Sequence, residues 1–194
     1  MNVLVIYAHP DPASFNAAVF EQVKRGLDDG RHSYTVIDLY QDNFNPVLTY
    51  GDKVTRRELK HDPETSSYRE MVKQADHLIL IYPVWWYGVP AILKGFFDRV
   101  LVAGFAFEYT GLAPRGLLRG KSAWAFYTID SPAWYVRIFR RSVEWTVVRD
   151  ATLKFCGIRP VKRFMFTGVK NSAEKRRKAW LEQVYRQTRR LSFH

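Results

Sequence analysis

Cysteine and long apolar segments are what this sequence has least of. Cys156 is its one cysteine, so no internal disulfide forms, and the apolar context LKFCGI favours a small core residue over a reactive thiol. The apolar runs, such as Val3–Ala8, are much shorter than a membrane-spanning helix requires. The first residues, MNVLVIYAHP, contain neither a basic segment nor a small-residue cleavage site, so we expect no signal peptide. These features predict a reduced, cytoplasmic protein without a transmembrane segment.

Two common phosphate-binding motifs are also absent. The chain contains neither GxGxxG nor the Walker lysine pattern, so we expect neither a Rossmann dinucleotide site nor a P-loop. We also predict no metal site.

The basic composition leaves several kinds of partner open. The formal net charge of +11 fits nucleic acid, an anionic membrane surface, a small anionic ligand, or a solvated surface with no specific partner. The dense basic run Lys175–Lys178 has only Trp180 as a nearby aromatic residue. We interpret this run as a solvated helix face and expect no binding of nucleic acid.

The apolar pattern alternates between strands and helices along the chain. Strands are predicted at 3–7, 34–40, 77–82, 122–129 and 161–169. Helices are predicted from about residue 14, over 68–75, from Pro90, over 134–155 and over 173–191, with a surface loop of at most one helical turn at 51–67. This alternation indicates one α/β domain, residues 1–194, in which helices cover both faces of a mostly parallel sheet.

Three loops follow predicted strands at the edge where such sheets bind ligands: HPDPASFN after the first strand, PVWWYGVP after the third and DSPAWY after the fourth. The first, HPDPASFN, opens a helix whose first N–H groups lack partners and attract anions. Ser14 and Asn16 add donors there, and His9 offers a third donor or a positive charge. As an alternative, Ser14 is only a helix cap and His9 a surface turn residue.

The second loop, PVWWYGVP, concentrates large aromatic residues. Three adjacent rings, from Trp85 to Tyr87, cannot all enter one core, and exposed they mark a binding surface. Pro83 and Pro90 stiffen the loop, and Gly88 leaves room for a close ligand. A flat slot beside a phosphate cradle predicts a flavin mononucleotide site. An aromatic dimer interface is the alternative, and the two are compatible.

The chain resembles the flavodoxin-like NAD(P)H:quinone oxidoreductases, a family that includes ancillary subunits of potassium-efflux systems. The resemblance runs from Asn2 to Val169 through YAHPDPASFN, DLYQDNFNP, YPVWWYGVPAILKGFFDRVL, GFAFEY and LKFCG, in the family's order. It implies a flavodoxin-like, doubly wound, five-stranded parallel sheet with helices on both faces. It also implies a homodimer in which each site borrows residues from the partner, and the apolar helix Ala91–Val102 with GFAFEY agrees with this.

The resemblance implies roles for individual residues. The loop that holds the flavin phosphate matches His9, Ser14, Phe15 and Asn16. The loop along the isoalloxazine ring matches Pro83, Val84, Trp85, Trp86, Tyr87 and Gly88. Thr128 matches a residue at the polar edge of the ring, and Tyr135 matches the family's active-site tyrosine.

This chain departs from the family's pattern at three positions. Trp85 stands where a glutamine is often found, and the family's TTGG turn is replaced by TIDS, Thr128–Ser131. Arg141 stands where well-studied members carry a histidine. Because a guanidinium does not deprotonate in proteins, we expect Arg141 to stabilise reduced flavin by charge and not to shuttle protons. Solvated surface charge is the alternative for Arg141.

These features predict a flavin-dependent NAD(P)H oxidoreductase that passes a hydride through bound FMN to a quinone or a similar electron-poor aromatic. FAD in place of FMN, and NADH or NADPH as co-substrate, remain open. Two other functions also remain open: a flavodoxin-like electron carrier and a flavin-binding regulatory subunit of a membrane transport system.

Overall fold

The computed structural model describes residues 1–49, 55, 58–110 and 113–192. Five parallel strands form the main sheet, and a two-stranded antiparallel hairpin stands apart from it. In chain order the strands are β1 (Asn2–Tyr7), β2 (Ser33–Asp38), β3 (His77–Pro83), the hairpin pair β4 (Phe107–Thr110) and β5 (Ala113–Gly116), β6 (Ser122–Ile129) and β7 (Val161–Thr167).

Helices connect these strands. They are α1 (Phe15–Asp29), α2 (Pro63–Gln74), α3 (Ala91–Val100), α4 (Ala133–Ile138), α5 (Val143–Val148) and α6 (Glu174–Arg189). Short 3-10 turns lie at Leu59–His61 and Val169–Asn171, and a π-helical segment, Arg149–Lys154, continues α5. No helix within the described residues is both long and apolar enough to cross a membrane.

The sheet has the strand order β2-β1-β3-β6-β7, all parallel. The order reverses between β1 and β3, which is where open α/β sheets bind ligands. One apolar core lies on each face of the sheet: α1 and α6 cover one, while α2, α3 and α5 cover the other. Every residue of β3 is buried, as expected for a central parallel strand. The predicted doubly wound flavodoxin-like sheet is therefore confirmed.

The predicted continuous helix over 134–155 is wrong. The chain leaves the helical conformation after α4, and Arg141 and Ser142 have φ values of 48° and 51°. Such left-handed conformations are uncommon for residues other than glycine. The Ser142 N–H donates to Val136 O at 2.9 Å, and Arg163 Nη2 donates to Ser142 Oγ at 3.2 Å. These contacts with α4 and β7 stabilise a break that no local pattern indicates.

Two other predictions need correction. Helix α2 begins at Pro63 and not near residue 68, because the Asp62 carboxylate accepts from the Glu64 N–H while proline occupies the first turn. This shortens the predicted loop at 51–67, of which 51–54 and 56–57 lie outside the described residues. The hairpin β4–β5 was not predicted at all. Strand β2 ends at Asp38, two residues before its predicted end. The ends of β1, β3, β6, β7 and α6 lie within two residues of their predicted positions.

Candidate functional site

The carboxyl ends of β1, β3 and β6 bring the three predicted loops together. The Ala8 N–H donates to Ile81 O at 2.9 Å, which links the ends of β1 and β3. The Val84 N–H donates to Thr128 O at 2.8 Å, which links the ends of β3 and β6. The loops after these strands therefore share one edge of the sheet, as the sequence predicted.

The loop after β1 opens α1 with a helix cap. Ser14 has extended backbone, and its Oγ accepts a hydrogen bond from the Ala17 N–H at 3.1 Å. The cap leaves the earlier N–H groups of Phe15 and Asn16 without helical partners, because a helix offers none at its first positions. Phe15 itself packs by its edge against Phe166 and Trp180, so its side chain belongs to the core beneath the loop.

His9 is half-buried at the start of the same loop. Its Nδ1 accepts a hydrogen bond from the Asp11 N–H at 3.0 Å, and its ring centroid lies 6.0 Å from that of Trp85. Burial lowers the pKa of His9 from its ordinary value, against a weaker opposing effect of Asp11. A neutral ring that accepts at Nδ1 carries its proton on Nε2, so His9 presents a neutral donor.

Asn16 is the most deeply buried polar residue of the three loops, 3% exposed. Its Nδ2 donates to Thr128 Oγ1 at 2.9 Å, which joins α1 to the end of β6. Its Oδ1 is buried without a hydrogen-bond partner among the described residues. A buried unpaired amide oxygen is costly, so this atom marks a polar position at the junction of the first and third loops.

The aromatic loop after β3 folds into a two-residue turn. Trp85 and Gly88 exchange backbone hydrogen bonds, N–H to O, of 3.0 and 2.9 Å. The two residues between them, Trp86 and Tyr87, have φ values of 51° and 56°. This conformation is normally taken by asparagine or glycine and is strained for bulky residues. Strain of this kind is retained where it positions side chains, and here it projects Trp86, 101% exposed, away from the protein.

Two contacts hold the turn against the loop after β6. The Tyr87 hydroxyl lies 2.8 Å from Ser131 Oγ, at hydrogen-bond distance. The Arg140 guanidinium lies over the Tyr87 ring, 4.3 Å from its centroid. A cleft of about 370 Å³ lies between the two loops, lined by Val84–Tyr87 and Ile129–Ser131. Its aromatic wall and rigid mouth suit a flat ligand.

The two predicted catalytic residues lie in the segment that follows β6, but neither is among the described residues that line the cleft. Tyr135 is half-buried on α4 and stacks on Phe139, with ring centroids 5.6 Å apart. Arg141 is exposed in the left-handed break after α4. The reasoning that placed both side chains on one helix therefore does not hold. Arg140, which was not predicted, is the arginine that contacts the aromatic loop.

A buried polar cluster lies under the ends of β3 and β6. Glu144 is 2% exposed and its Oε1 accepts from the Tyr127 hydroxyl at 3.1 Å and from Arg163 Nη1 at 3.4 Å. Tyr127 stacks on Tyr82, with ring centroids 5.5 Å apart, and burial raises the pKa of both phenols. These tyrosines directly precede Pro83 and Thr128, so the cluster supports both loops from below.

Sequence reasoning missed Arg140, Ser131 and the Glu144–Arg163 pair. Ser131 stands in the TIDS segment that replaces the family's turn, and its position after a strand was the available signal. A single glutamate in an apolar stretch, VEWTVV, was the available signal for Glu144. Arg163 gave no signal, because its partner is 19 residues away on another element.

Comparison with known proteins agrees with this architecture. A family model described as a flavodoxin-like fold, Flavodoxin_2, matches residues 1–189. A Haemophilus influenzae protein named as an uncharacterized NAD(P)H oxidoreductase is 32% identical over 191 residues, 97% of this chain and 94% of that protein. The mouse ribosyldihydronicotinamide dehydrogenase (quinone) is 33% identical over 205 residues, 92% of this chain and 87% of that protein.

The solved structures give the same result. The crystal structure of Smu.1420 from Streptococcus mutans superposes with a TM-score of 0.93 and 40% identity, covering 98% of this chain and all of that one. The fold and the loops at its β1–β3 switch define a flavodoxin-like α/β protein. The chain belongs to the flavodoxin-like NAD(P)H:quinone oxidoreductase family.

Proposed function

We propose that this chain is an NAD(P)H oxidoreductase that binds FMN and reduces quinones or similar electron-poor aromatic compounds. The observation that carries the proposal is the strained turn at Trp86–Tyr87 beside the open N-terminus of α1. The names of the two relatives, an NAD(P)H oxidoreductase and a quinone-dependent dehydrogenase, support the same reaction class.

The residues present fit a flavin mononucleotide. The free N–H groups of Phe15 and Asn16, with the neutral His9, provide donors for one phosphate group. The cleft between Val84–Tyr87 and Ile129–Ser131 has the aromatic wall that a flat conjugated ring requires. The unpaired Asn16 Oδ1 lies between these two regions and offers an acceptor to a ligand hydroxyl or N–H. No adenine pocket is evident from the sequence, which favours FMN over FAD.

When bound, the flavin supplies the hydride chemistry, and the chain supplies binding and orientation. Trp85 and Tyr87 would hold the flavin ring in the cleft, with Trp86 at the rim of the cleft. Val84 and Thr128 tie the two walls of the cleft through a backbone hydrogen bond, so the walls keep their spacing. Gly88 keeps its Cβ position open, with only Trp85 O at 3.6 Å. Pro83 ends β3 and sets the entry of the loop.

Charge and hydrogen bonds at the third loop complete the proposed site. Tyr135 would offer a hydroxyl donor, and Arg140 and Arg141 would supply positive charge that favours a reduced flavin. Arg140 is the better placed of the two, since it already contacts Tyr87. The net charge of +11 attracts the phosphates of either NADH or NADPH toward the protein.

Flavin affinity tests the proposal directly. Replacing Ser14 and Asn16 together with alanine removes the cap and the buried amide, each worth about 1 kcal/mol, so FMN binding should weaken by roughly tenfold or more. Fluorescence titration with FMN measures this. Ser66→Ala removes a hydroxyl that donates to Pro63 O within α2 and serves as the control. Equal FMN affinity in all three proteins would show that FMN depends neither on the Asn16 amide nor on the helix N-terminus that Ser14 caps.

Turnover separates an enzyme from a flavodoxin-like electron carrier or a regulatory subunit. The FMN-loaded protein should oxidise NADH or NADPH faster when a water-soluble quinone is added, and the preferred dinucleotide follows from the two rates. Absorbance at the nicotinamide band measures both. Tight flavin binding with no quinone-dependent oxidation would favour the carrier or the regulatory subunit.

We also propose that the chain forms a homodimer through the face built by α3, the hairpin β4–β5 and α5. A groove of about 470 Å³ lies there, lined by apolar residues that include Phe97, Leu101, Phe107 and Val147. Val147 is 44% exposed, which is unusual for a valine beside so apolar a groove. Val147→Asp should shift the sedimenting species from dimer to monomer. A wild-type protein that sediments only as monomer at micromolar concentration would contradict the dimer.

A cytoplasmic location belongs to the same proposal. It is supported by the single buried cysteine and by the proposed use of a nicotinamide dinucleotide as co-substrate.

A further inference from the structure

Large apolar side chains and arginines surround the mouth of the cleft. We define the mouth surface as Trp86, Trp134, Arg137, Ile138, Phe139 and Arg141. Trp86 is 101% exposed, Ile138 and Phe139 are each 66% exposed, and Trp134 is 59% exposed. An exposed apolar patch of this size on a soluble protein marks an interaction site.

These residues form one continuous surface. Trp134 and Phe139 meet edge to face, with ring centroids 5.9 Å apart, and Ile138 is the last residue of α4, four positions after Trp134. Arg140, next to Phe139, reaches over Tyr87 at the base of the Trp86 turn. Although Trp86 and Trp134 lie 48 positions apart in sequence, the Arg140–Tyr87 contact joins their loops beside the cleft.

The charged residues of the mouth surface are all positive. Between Ser131 and Val143 the chain carries three arginines and no acidic residue. Arg137 and Arg141 are exposed and form no ion pair among the described residues. Among the described residues that line the cleft, Asp130 is the acidic one. Tryptophan, phenylalanine and isoleucine interleaved with arginine are typical of segments that lie in the interface of an anionic membrane.

A second copy of the chain fits this surface poorly. A two-fold interface repeats the same patch on both partners, so the three arginines of one copy would face those of the other. The groove beside Val147 is better suited to a second copy, because Lys94 and Asp98 there form an ion pair within α3 and the rest of its lining is largely apolar. The mouth surface is therefore complementary to a partner that is anionic and partly apolar.

We propose that the mouth surface docks this protein on an anionic lipid bilayer, with the aromatic and isoleucine side chains in the interface and the arginines at the lipid headgroups. The cleft then opens toward the membrane. Together with the proposed function, this places a lipid-soluble quinone within reach of the site; the docking itself requires no catalysis.

Vesicle co-sedimentation of the full-length protein, loaded with FMN, tests the docking. The vesicles contain phosphatidylcholine alone or equimolar phosphatidylcholine and phosphatidylglycerol. We expect binding to the anionic vesicles only, and weaker binding as salt is raised, because salt screens exposed charges. Arg137→Gln should lower the partition coefficient by about fivefold and Ile138→Ser by about tenfold, since each loses one interfacial contact.

Matched controls change the same chemistry elsewhere. Lys175→Gln removes one exposed positive charge from α6, and Val47→Ser removes an exposed apolar side chain, 59% exposed, from the loop after β2. Both should bind anionic vesicles as the wild type does. If Lys175→Gln weakens binding as much as Arg137→Gln, net charge alone explains it and the docking surface is wrong.

Other outcomes are equally decisive. Wild-type protein that stays in the supernatant with anionic vesicles overturns the proposal. A change from dimer to monomer in Ile138→Ser also overturns it, because that change would identify the mouth surface as a protein interface. Rates with a water-soluble quinone report on the proposed function separately. Docking is supported when Ile138→Ser keeps that rate but loses activity with a long-chain quinone dissolved in the vesicles. A loss of both rates would show that Ile138 acts in the site and not at a membrane.

Discussion

Substitution of Arg163 tests how much the buried cluster beneath the cleft contributes to stability. Arg163 donates to Glu144 Oε1, to the Tyr127 hydroxyl and to Ser142 Oγ, at 3.4, 3.1 and 3.2 Å. Arg163→Met keeps much of the side-chain volume but leaves the carboxylate of Glu144, whose side chain is 1% exposed, without its positive partner. We expect both a loss of stability and a displaced break after α4.

The magnitude follows from burial. Breaking a buried ion pair by removing one partner costs about 3–5 kcal/mol, because a charge is left without compensation. Arg163 is itself 23% exposed, so solvent already screens part of the interaction and the lower value, about 3 kcal/mol, applies here. That is a large part of the roughly 5–15 kcal/mol by which such domains are stable.

Urea unfolding of a double-mutant cycle measures this. Glu144→Gln removes the charge but retains an amide that accepts from Tyr127, so Glu144→Gln/Arg163→Met should be more stable than Arg163→Met alone. We expect a coupling energy of about 2 kcal/mol between the two positions. FMN affinity should also fall in Arg163→Met, because Arg140 loses its position over Tyr87. Additive effects of the two substitutions, with unchanged FMN affinity, would refute the reasoning.

Three further predictions concern single residues. Arg140→Gln should lower the two-electron reduction potential of the flavin more than Arg141→Gln does. The shift is roughly 20 mV for each kcal/mol of lost stabilisation of the anionic reduced ring. A redox titration in which Arg141→Gln has the larger effect would restore the role predicted for Arg141 from the sequence. Burial lowers the pKa of His77 to about 4. Between pH 4 and pH 6.5 the folded protein is therefore mostly neutral at His77, whereas the unfolded chain is mostly protonated there. The free energy of unfolding should consequently rise by about 3 kcal/mol from pH 4 to pH 6.5. His77→Gln should flatten that rise in urea unfolding, and an unchanged pH profile would assign it to other groups. Gly26→Ala should lower the free energy of unfolding by about 1–3 kcal/mol, although alanine has a better helix propensity than glycine. The reason is that the new Cβ would lie 2.0 Å from Thr188 Oγ1 on α6. A higher melting temperature would contradict the close α1–α6 packing.

Local patterns in the sequence were sufficient for the sheet and for two of its loops. The five strands are short apolar runs bounded by turn residues, and their alternation with helices leaves few other topologies. Ser14 caps α1 as predicted, and the exposed position of Trp86 follows from three adjacent aromatic residues that one core cannot accommodate. Because the carboxyl ends of parallel strands meet at one edge, the convergence of the loops after β1, β3 and β6 could be predicted without coordinates.

Tertiary contacts decided what surrounds that edge. The break at Arg141–Ser142 depends on Arg163 from β7, and Arg140, which the sequence did not single out, lies over Tyr87. The link from Asn16 to Thr128 joins residues 112 positions apart. Sequence periodicity reports only on neighbours within a helical turn or along a strand. Contacts between separate elements arise when the chain packs, and so they could not be predicted from the sequence.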